Sequence, residues 1–129
     1  KELMRLKSAE INRCTYCGTL RVQDVHDEVE PLEQQVLGEF SGEELTRREA
    51  LAVKFAEKMG SDPHQISDEF YTELKKEFTK DEIVELVFTE YVYKMDHCIA
   101  NTLKLETGEE NLEYPMSSSQ TSSPAISDD

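Results

Sequence analysis

Cys14-Thr15-Tyr16-Cys17 is the constellation in this sequence with reactive potential. Two thiols at this spacing, at the start of a helix, can close a disulfide. The amide end of a helix also favours a thiolate, which lowers the thiol pKa toward working pH. Thiolate is the form that attacks a peroxide or another disulfide. Two other readings stand beside this one. The pair can be two partly buried cysteines with no chemistry, or half of a zinc site completed by His97 and Cys98. Zinc asks for four tetrahedral ligands, and neighbouring residues on one helix point about 100° apart, so convergence of His97 and Cys98 on one ion is awkward.

The elements that hold this motif read as helices throughout, an all-α subunit. Glu2 to Asn12 spaces Leu3, Leu6 and Ala9 at helical intervals. Asn12-Arg13 breaks the run, and Thr15 to Val25 is expected as a second helix. Pro31 suits the first turn of a short helix through Phe40, because that turn needs no donor from the proline nitrogen. Ser41-Gly42 marks a turn. Two capping boxes follow. Thr46 to Glu49 opens a helix carrying Ala50, Val53, Ala56 and Met59 and ending at Gly60. Thr79 to Glu82 opens the longest helix, with Ile83, Leu86, Val87, Tyr91, Met95, Cys98, Ile99 and Leu103 as its apolar stripe and Gly108 as its end. Between them Ser67 caps a helix over Asp68 to Phe78. No run alternates with the period of a strand.

The chain has 129 residues, 28 acidic and 14 basic, for a net charge of -14. That length is one domain's worth. The expected division is a helical domain over 1–113 and a Ser/Pro-rich tail over 114–129, whose composition alone cannot offset its ordering entropy. Apolar residues make up only 37%, so a fully self-sufficient core looks thin, and sharing apolar surface with a second copy is one remedy. The acidic balance argues against nucleic acid, which needs Lys/Arg clusters, and against an anionic membrane surface. No apolar run is long enough to span a bilayer and no signal peptide opens the chain. It begins with Lys1 rather than Met, which leaves residues upstream as an expectation. Three cysteines, an odd number, suit a reducing compartment, and a cytoplasmic location is expected.

The residues around the cysteines resemble a known family. Glu2-Leu3, followed by Ser8-Ala9-Glu10-Ile11-Asn12-Arg13-Cys14-Thr15-Tyr16-Cys17, is similar to the motif of the alkylhydroperoxidase D-like, carboxymuconolactone decarboxylase family. That motif is a glutamate, eleven residues, Cys-x-x-Cys, three residues and a histidine. Glu2, Cys14 and Cys17 fall on its first three positions, and the helical layout to about residue 110 is also alike. The resemblance implies an all-helical subunit that assembles as trimers or hexamers, with neither metal nor flavin. It implies that Cys17 attacks a peroxide, that Cys14 resolves the sulfenic acid, and that an external dithiol reduces the pair. The departure is Arg21, which stands where the family has histidine. Arginine cannot serve as a base, since its pKa is above about 12, but it can lend positive charge one turn from Cys17. Antiparallel packing of the first two helices predicts a Glu2–Arg21 salt bridge.

Several other residues have two readings each. His97 lies beside the apolar stripe of the long helix and can face the cysteines as a substitute base or sit hydrogen-bonded at the core edge. His26 and His64 are expected to be structural or solvated. Tyr16 can donate to a bound substrate or simply pack, and Cys98 is expected as a small buried hydrophobe. Of Tyr91 and Tyr93, one is expected in the core and one against a partner. Val22 to Thr46 holds eight acids and no Lys or Arg, a solvated face or a docking surface for a basic reductant. No phosphate-binding glycine loop or nucleophile-elbow motif occurs. The catalytic set expected is therefore Cys14, Cys17, Glu2, Arg21 and His97, acting on a peroxide or a small organic substrate. A decarboxylase-like lyase and an inactive oligomeric module are the alternatives.

Overall fold

A computed structural model describes residues 1–38 and 41–105. Among the described residues seven α-helices follow in order: α1 (Glu2–Ile11), α2 (Thr15–Thr19), α3 (His26–Val29), α4 (Glu33–Val36), α5 (Arg47–Ser61), α6 (Asp68–Glu77) and α7 (Lys80–Thr102). Short 3-10 turns intervene at Gln23–Val25, Glu30–Leu32 and Pro63–Gln65. Among the described residues there is no strand, so the all-α class holds. Phe40, Gly108 and the tail from 114 lie outside the described residues, but both helices expected to run that far end sooner: the one expected through Phe40 stops at Val36, where Leu37 turns extended, and the longest stops at Thr102 rather than at Gly108.

Two helices begin where the capping boxes place them. Thr46 accepts from the Glu49 amide while Glu49 accepts from the Thr46 amide, and Thr79 and Glu82 repeat the exchange. Each box satisfies donors that the first turn leaves without an intrahelical acceptor. Ser67 caps α6 through the Phe70 amide. α7 stops at Thr102, with Lys104 in a left-handed conformation (φ 52°) just beyond.

The architecture is organised around α1. It packs chiefly against α5 and α7, with α2 and α4 at its flanks. Met4 joins Phe55, Leu74, Phe78 and Ile83 in one core cluster, whereas Leu3 and Leu6 join Val29, Val36 and Val53 in another. Burying Met4 and Leu6 stabilises the fold by about 2 kcal/mol each. Because α1 is covered on most sides, its polar residues are buried too and must be paired. Lys7 meets Glu10 at 3.0 Å, and both reach Gly38, whose carbonyl accepts from Lys7 at 3.1 Å and whose amide donates to Glu10 at 2.6 Å. Gly38 sits at φ 74°, a conformation that L side chains rarely adopt.

The second helix is far shorter than the 15–25 expected from sequence. After Thr19 the backbone turns extended at Leu20. The carbonyls that a longer helix would use internally are taken by two guanidinium groups. Arg5 donates to the carbonyls of Cys17 and Leu20, and Arg21 to those of Gly18 and Leu20, at 2.6–2.8 Å.

Candidate functional site

The end of α1 delivers the cysteines. Arg13 adopts φ 52°, its amide donates to the Glu10 carbonyl at 3.0 Å, and the Cys14 amide donates to the Ala9 carbonyl at 2.9 Å. These are the paired bonds of a Schellman motif, with an arginine at the left-handed position where glycine is commonest. The usual apolar contact accompanies it, since Ala9 and Cys14 share a buried cluster with Cys17 and Ala100. Cys14 then serves as the N-cap of α2, its sulfur accepting from the Cys17 amide at 3.2 Å.

Cys14 and Cys17 are joined as a disulfide, with Cα atoms 5.3 Å apart, inside the range such bonds require. Both residues are buried, but their surroundings differ. Cys14 is 0% exposed and Cys17 8%. Cys17 borders a cavity of about 320 Å³ whose wall includes Tyr16, Leu20, Tyr93, His97, Ile99 and Leu105, with Arg5 and Asp96 as its charged members. A larger hollow of about 530 Å³ near Lys1, Glu28 and Glu49 contains no cysteine.

The structure redistributes the charges expected here. Glu2 is paired with Arg5, at 2.5 and 2.8 Å, rather than with Arg21. Arg21 instead grips Glu33 at 2.5 and 2.9 Å and the Gly18 carbonyl at 2.6 Å. The reason is the early end of α2: once Leu20 is extended, Arg21 reaches Glu33 at the start of α4 and leaves Glu2 to its own helix neighbour. Arg5 is thus the cation that ties Glu2 to the Cys17 carbonyl. Nothing in the sequence marks it beyond the three-residue step from Glu2, which places both on one helical face.

His97 is on α7, 1% exposed, and lines the cavity that Cys17 borders. Its Nδ1 lies 3.3 Å from Ser8 Oγ, and Ser8 donates to Glu90 Oε1 at 2.7 Å. Asn12 Nδ2 lies within 3.5 Å of both Ser8 Oγ and His97 Nδ1 and donates to the Ser8 carbonyl at 2.8 Å. Burial, helped by the positive charge of Arg5, pushes the imidazole pKa down to about 4. Glu90 is 0% exposed, and burial pushes its carboxyl up to about 7 against the opposing pull of Ser8 and Lys94. Its Oε2 has no hydrogen-bond partner among the described residues. Ser8 and Glu90 were not expected at this site.

The remaining sequence expectations divide. Cys98 is exposed, not a buried hydrophobe, because it lies off the α7 face that packs on α1. With it on the surface and Cys14 bonded to Cys17, the zinc arrangement is not formed. Among the described residues no group of three or more His, Cys, Asp or Glu is placed to hold a metal ion. Tyr93 packs against the core while Tyr91 is exposed. No described helix is long and apolar enough to cross a membrane.

Comparison with known proteins returns no matching family model, no matching curated protein and no matching solved structure. The site is therefore read from its own geometry.

Proposed function

We propose that this chain is a thiol-dependent peroxidase or disulfide oxidoreductase of the alkylhydroperoxidase D-like type. The observation that carries the reading is the cysteine pair itself, bonded across one helical turn, of which Cys17 and not Cys14 lines a largely apolar cavity. In the proposed cycle the Cys17 thiolate attacks the distal peroxide oxygen, the O–O bond breaks, and the departing alkoxide takes up a proton to leave as an alcohol. Cys17 is then a sulfenic acid. The Cys14 thiol displaces its hydroxyl as water, which forms the disulfide, and an external dithiol returns both thiols while being oxidised itself. Leu20, Ile99 and Leu105 along the cavity suit a hydroperoxide with a compact apolar group.

Assembly as a homo-oligomer belongs to the same proposal. Val84, Phe88, Tyr91, Met95, Ile99 and Leu103 form a continuous exposed stripe along α7, with Phe88 at 65% and Tyr91 at 63% exposure. Such a patch is uncommon on a lone subunit and suits a second copy.

The test is consumption of tert-butyl hydroperoxide with dithiothreitol as reductant. Wild type should turn over, with Cys14–Cys17 disulfide as the oxidised product by peptide mass, and Cys17→Ser should be inactive. Peroxide turnover that survives Cys17→Ser would sink the redox reading, and ring-opening or decarboxylation of a small organic acid that is insensitive to thiol alkylation would select the lyase instead.

A further inference from the structure

The exposed side of α7 has an order that its apolar composition alone does not require. Val84, Phe88, Tyr91, Met95, Cys98 and Thr102 follow one another at steps of four, three, four, three and four residues, and all six are exposed. That alternation belongs to a coiled-coil seam, because each step returns to the same side of the helix. The seam lies opposite the side that carries Ile83, Glu90, His97 and Ala100 into the protein. Glu85, Lys94 and Asp96 stand at its edges, roughly 80–120° round the helix. From Val84 to Thr102 the seam itself holds no charge.

We propose that this seam packs against the same seam of a second copy, the two α7 helices running antiparallel about a two-fold axis level with Tyr93. The pairing rests on the homo-oligomer reading above and not on the thiol chemistry. Its area is sufficient. The exposed apolar residues from Val84 to Leu103 are 39–65% exposed, and together they present on the order of 800 Å², the share one partner gives to a standard interface. Charge selects a second copy as the occupant. The chain carries a net charge of -14, so two copies approach at least cost through an uncharged surface. A basic partner would need acids on this face to recognise it, and the seam offers none. Such a two-fold axis occurs in a dimer or a hexamer and is absent from a lone trimer.

The residues of the seam also fix its direction. In a parallel pair each meets its own copy, which sets Phe88 on Phe88, Tyr91 on Tyr91 and Cys98 on Cys98. In an antiparallel pair overlapped along the whole seam, Phe88 meets Cys98, Tyr91 meets Met95 and Val84 meets Thr102. Each aromatic ring then faces a sulfur-bearing side chain that is smaller or more pliable, so large and small alternate across the interface. The ends agree. Asp81 in the first turn of α7 and Glu85 in the next would crowd their own copies in a parallel pair. Antiparallel, they come beside Lys104, which follows the other end of the helix. The partial positive charge of each helix N-terminus then also lies beside the partial negative charge of a C-terminus.

In the oxidised protein Cys14 and Cys17 are bonded to each other and Cys98 is the free thiol, so disulfide trapping reads the pairing. Wild type and Phe88→Cys are treated with copper phenanthroline and resolved by non-reducing electrophoresis and peptide mass. Phe88→Cys should be trapped as a dimer through a bond from position 88 to Cys98 of the second copy, whereas wild type should stay unlinked. Wild type trapped through Cys98 on both chains means a parallel pair and overturns the proposal. Should Phe88→Cys weaken the assembly, carbodiimide coupling of wild type decides. α7 is about 35 Å long, too far for Lys104 to reach Asp81 or Glu85 of its own chain. A direct link between Lys104 and either carboxylate therefore joins two copies and is expected; its absence overturns the pairing. Light scattering separates the two readings. An assembly that yields neither link overturns the antiparallel seam and leaves the homo-oligomer standing elsewhere. The mass of one chain overturns both and assigns the seam to residues 106–129 or to a different partner. Peroxide turnover is read separately, by the tert-butyl hydroperoxide assay.

Discussion

Glu90→Gln should stabilise this protein above neutral pH and leave it unchanged in mild acid. The carboxyl is held at about 7 in the folded chain against an ordinary value of 4.5, with burial as the main cause. The folded state therefore keeps a proton between pH 4.5 and 7 that the unfolded state has already released. Stability falls as pH rises through that window, because the folded state there binds more protons than the unfolded. The raised value corresponds to about 3 kcal/mol, fully expressed above pH 7. Glutamine keeps the shape and cannot ionise, so the difference between variant and wild type isolates this one group. It should be near zero at pH 4.5 and approach 3 kcal/mol in favour of the variant at pH 8, a rise in Tm of roughly 10 °C. His97 works in the opposite sense. Held at about 4 instead of 6.5, it gives stability that is present above 6.5 and lost as pH falls toward 4. In wild type the two slopes largely cancel between about 4.5 and 6.5, and Glu90→Gln should uncover the rising limb of His97. Urea unfolding across pH, at one protein concentration, measures all of this. A variant that is less stable than wild type at pH 8, or a difference that does not change with pH, would refute the reasoning.

Three further outcomes follow from the same contacts. Arg5→Met breaks a pair whose side chains are 12% and 6% exposed and frees the Cys17 and Leu20 carbonyls. It should cost about 3 kcal/mol in urea unfolding, and adding Glu2→Gln should recover part of that. Arg13→Gly relieves a left-handed backbone at an exposed residue, so unfolding should show a gain of about 0.5–1 kcal/mol; a loss would mean that the turn depends on the arginine side chain. Replacing Phe88 and Tyr91 together by aspartate should leave the subunit folded by circular dichroism and reduce the mass found by light scattering to that of one chain. An unchanged assembly mass would move the interface elsewhere.

The amino-acid sequence settled the parts of this protein whose causes are local. Thr46/Glu49, Thr79/Glu82 and Ser67 start their helices wherever they stand, because a cap needs only partners three residues away. The spacing of Cys14 and Cys17 likewise placed two sulfurs within reach across one turn. What faces inward was decided only by tertiary packing. α7 is apolar on most sides, and its sequence pattern put Val87, Tyr91, Met95 and Ile99 on the stripe read as core. In the structure these are exposed, and the face against α1 carries Ile83, Leu86, Glu90, His97 and Ala100. Periodicity cannot choose between two apolar faces, and it discounts a buried glutamate that is tolerable only because Ser8, on another helix, donates to it. The choice of Arg5 over Arg21 for Glu2 has the same origin. Charge pairing depends on where a backbone turns, and the turn at Leu20 is held by guanidinium groups that no local rule foresees.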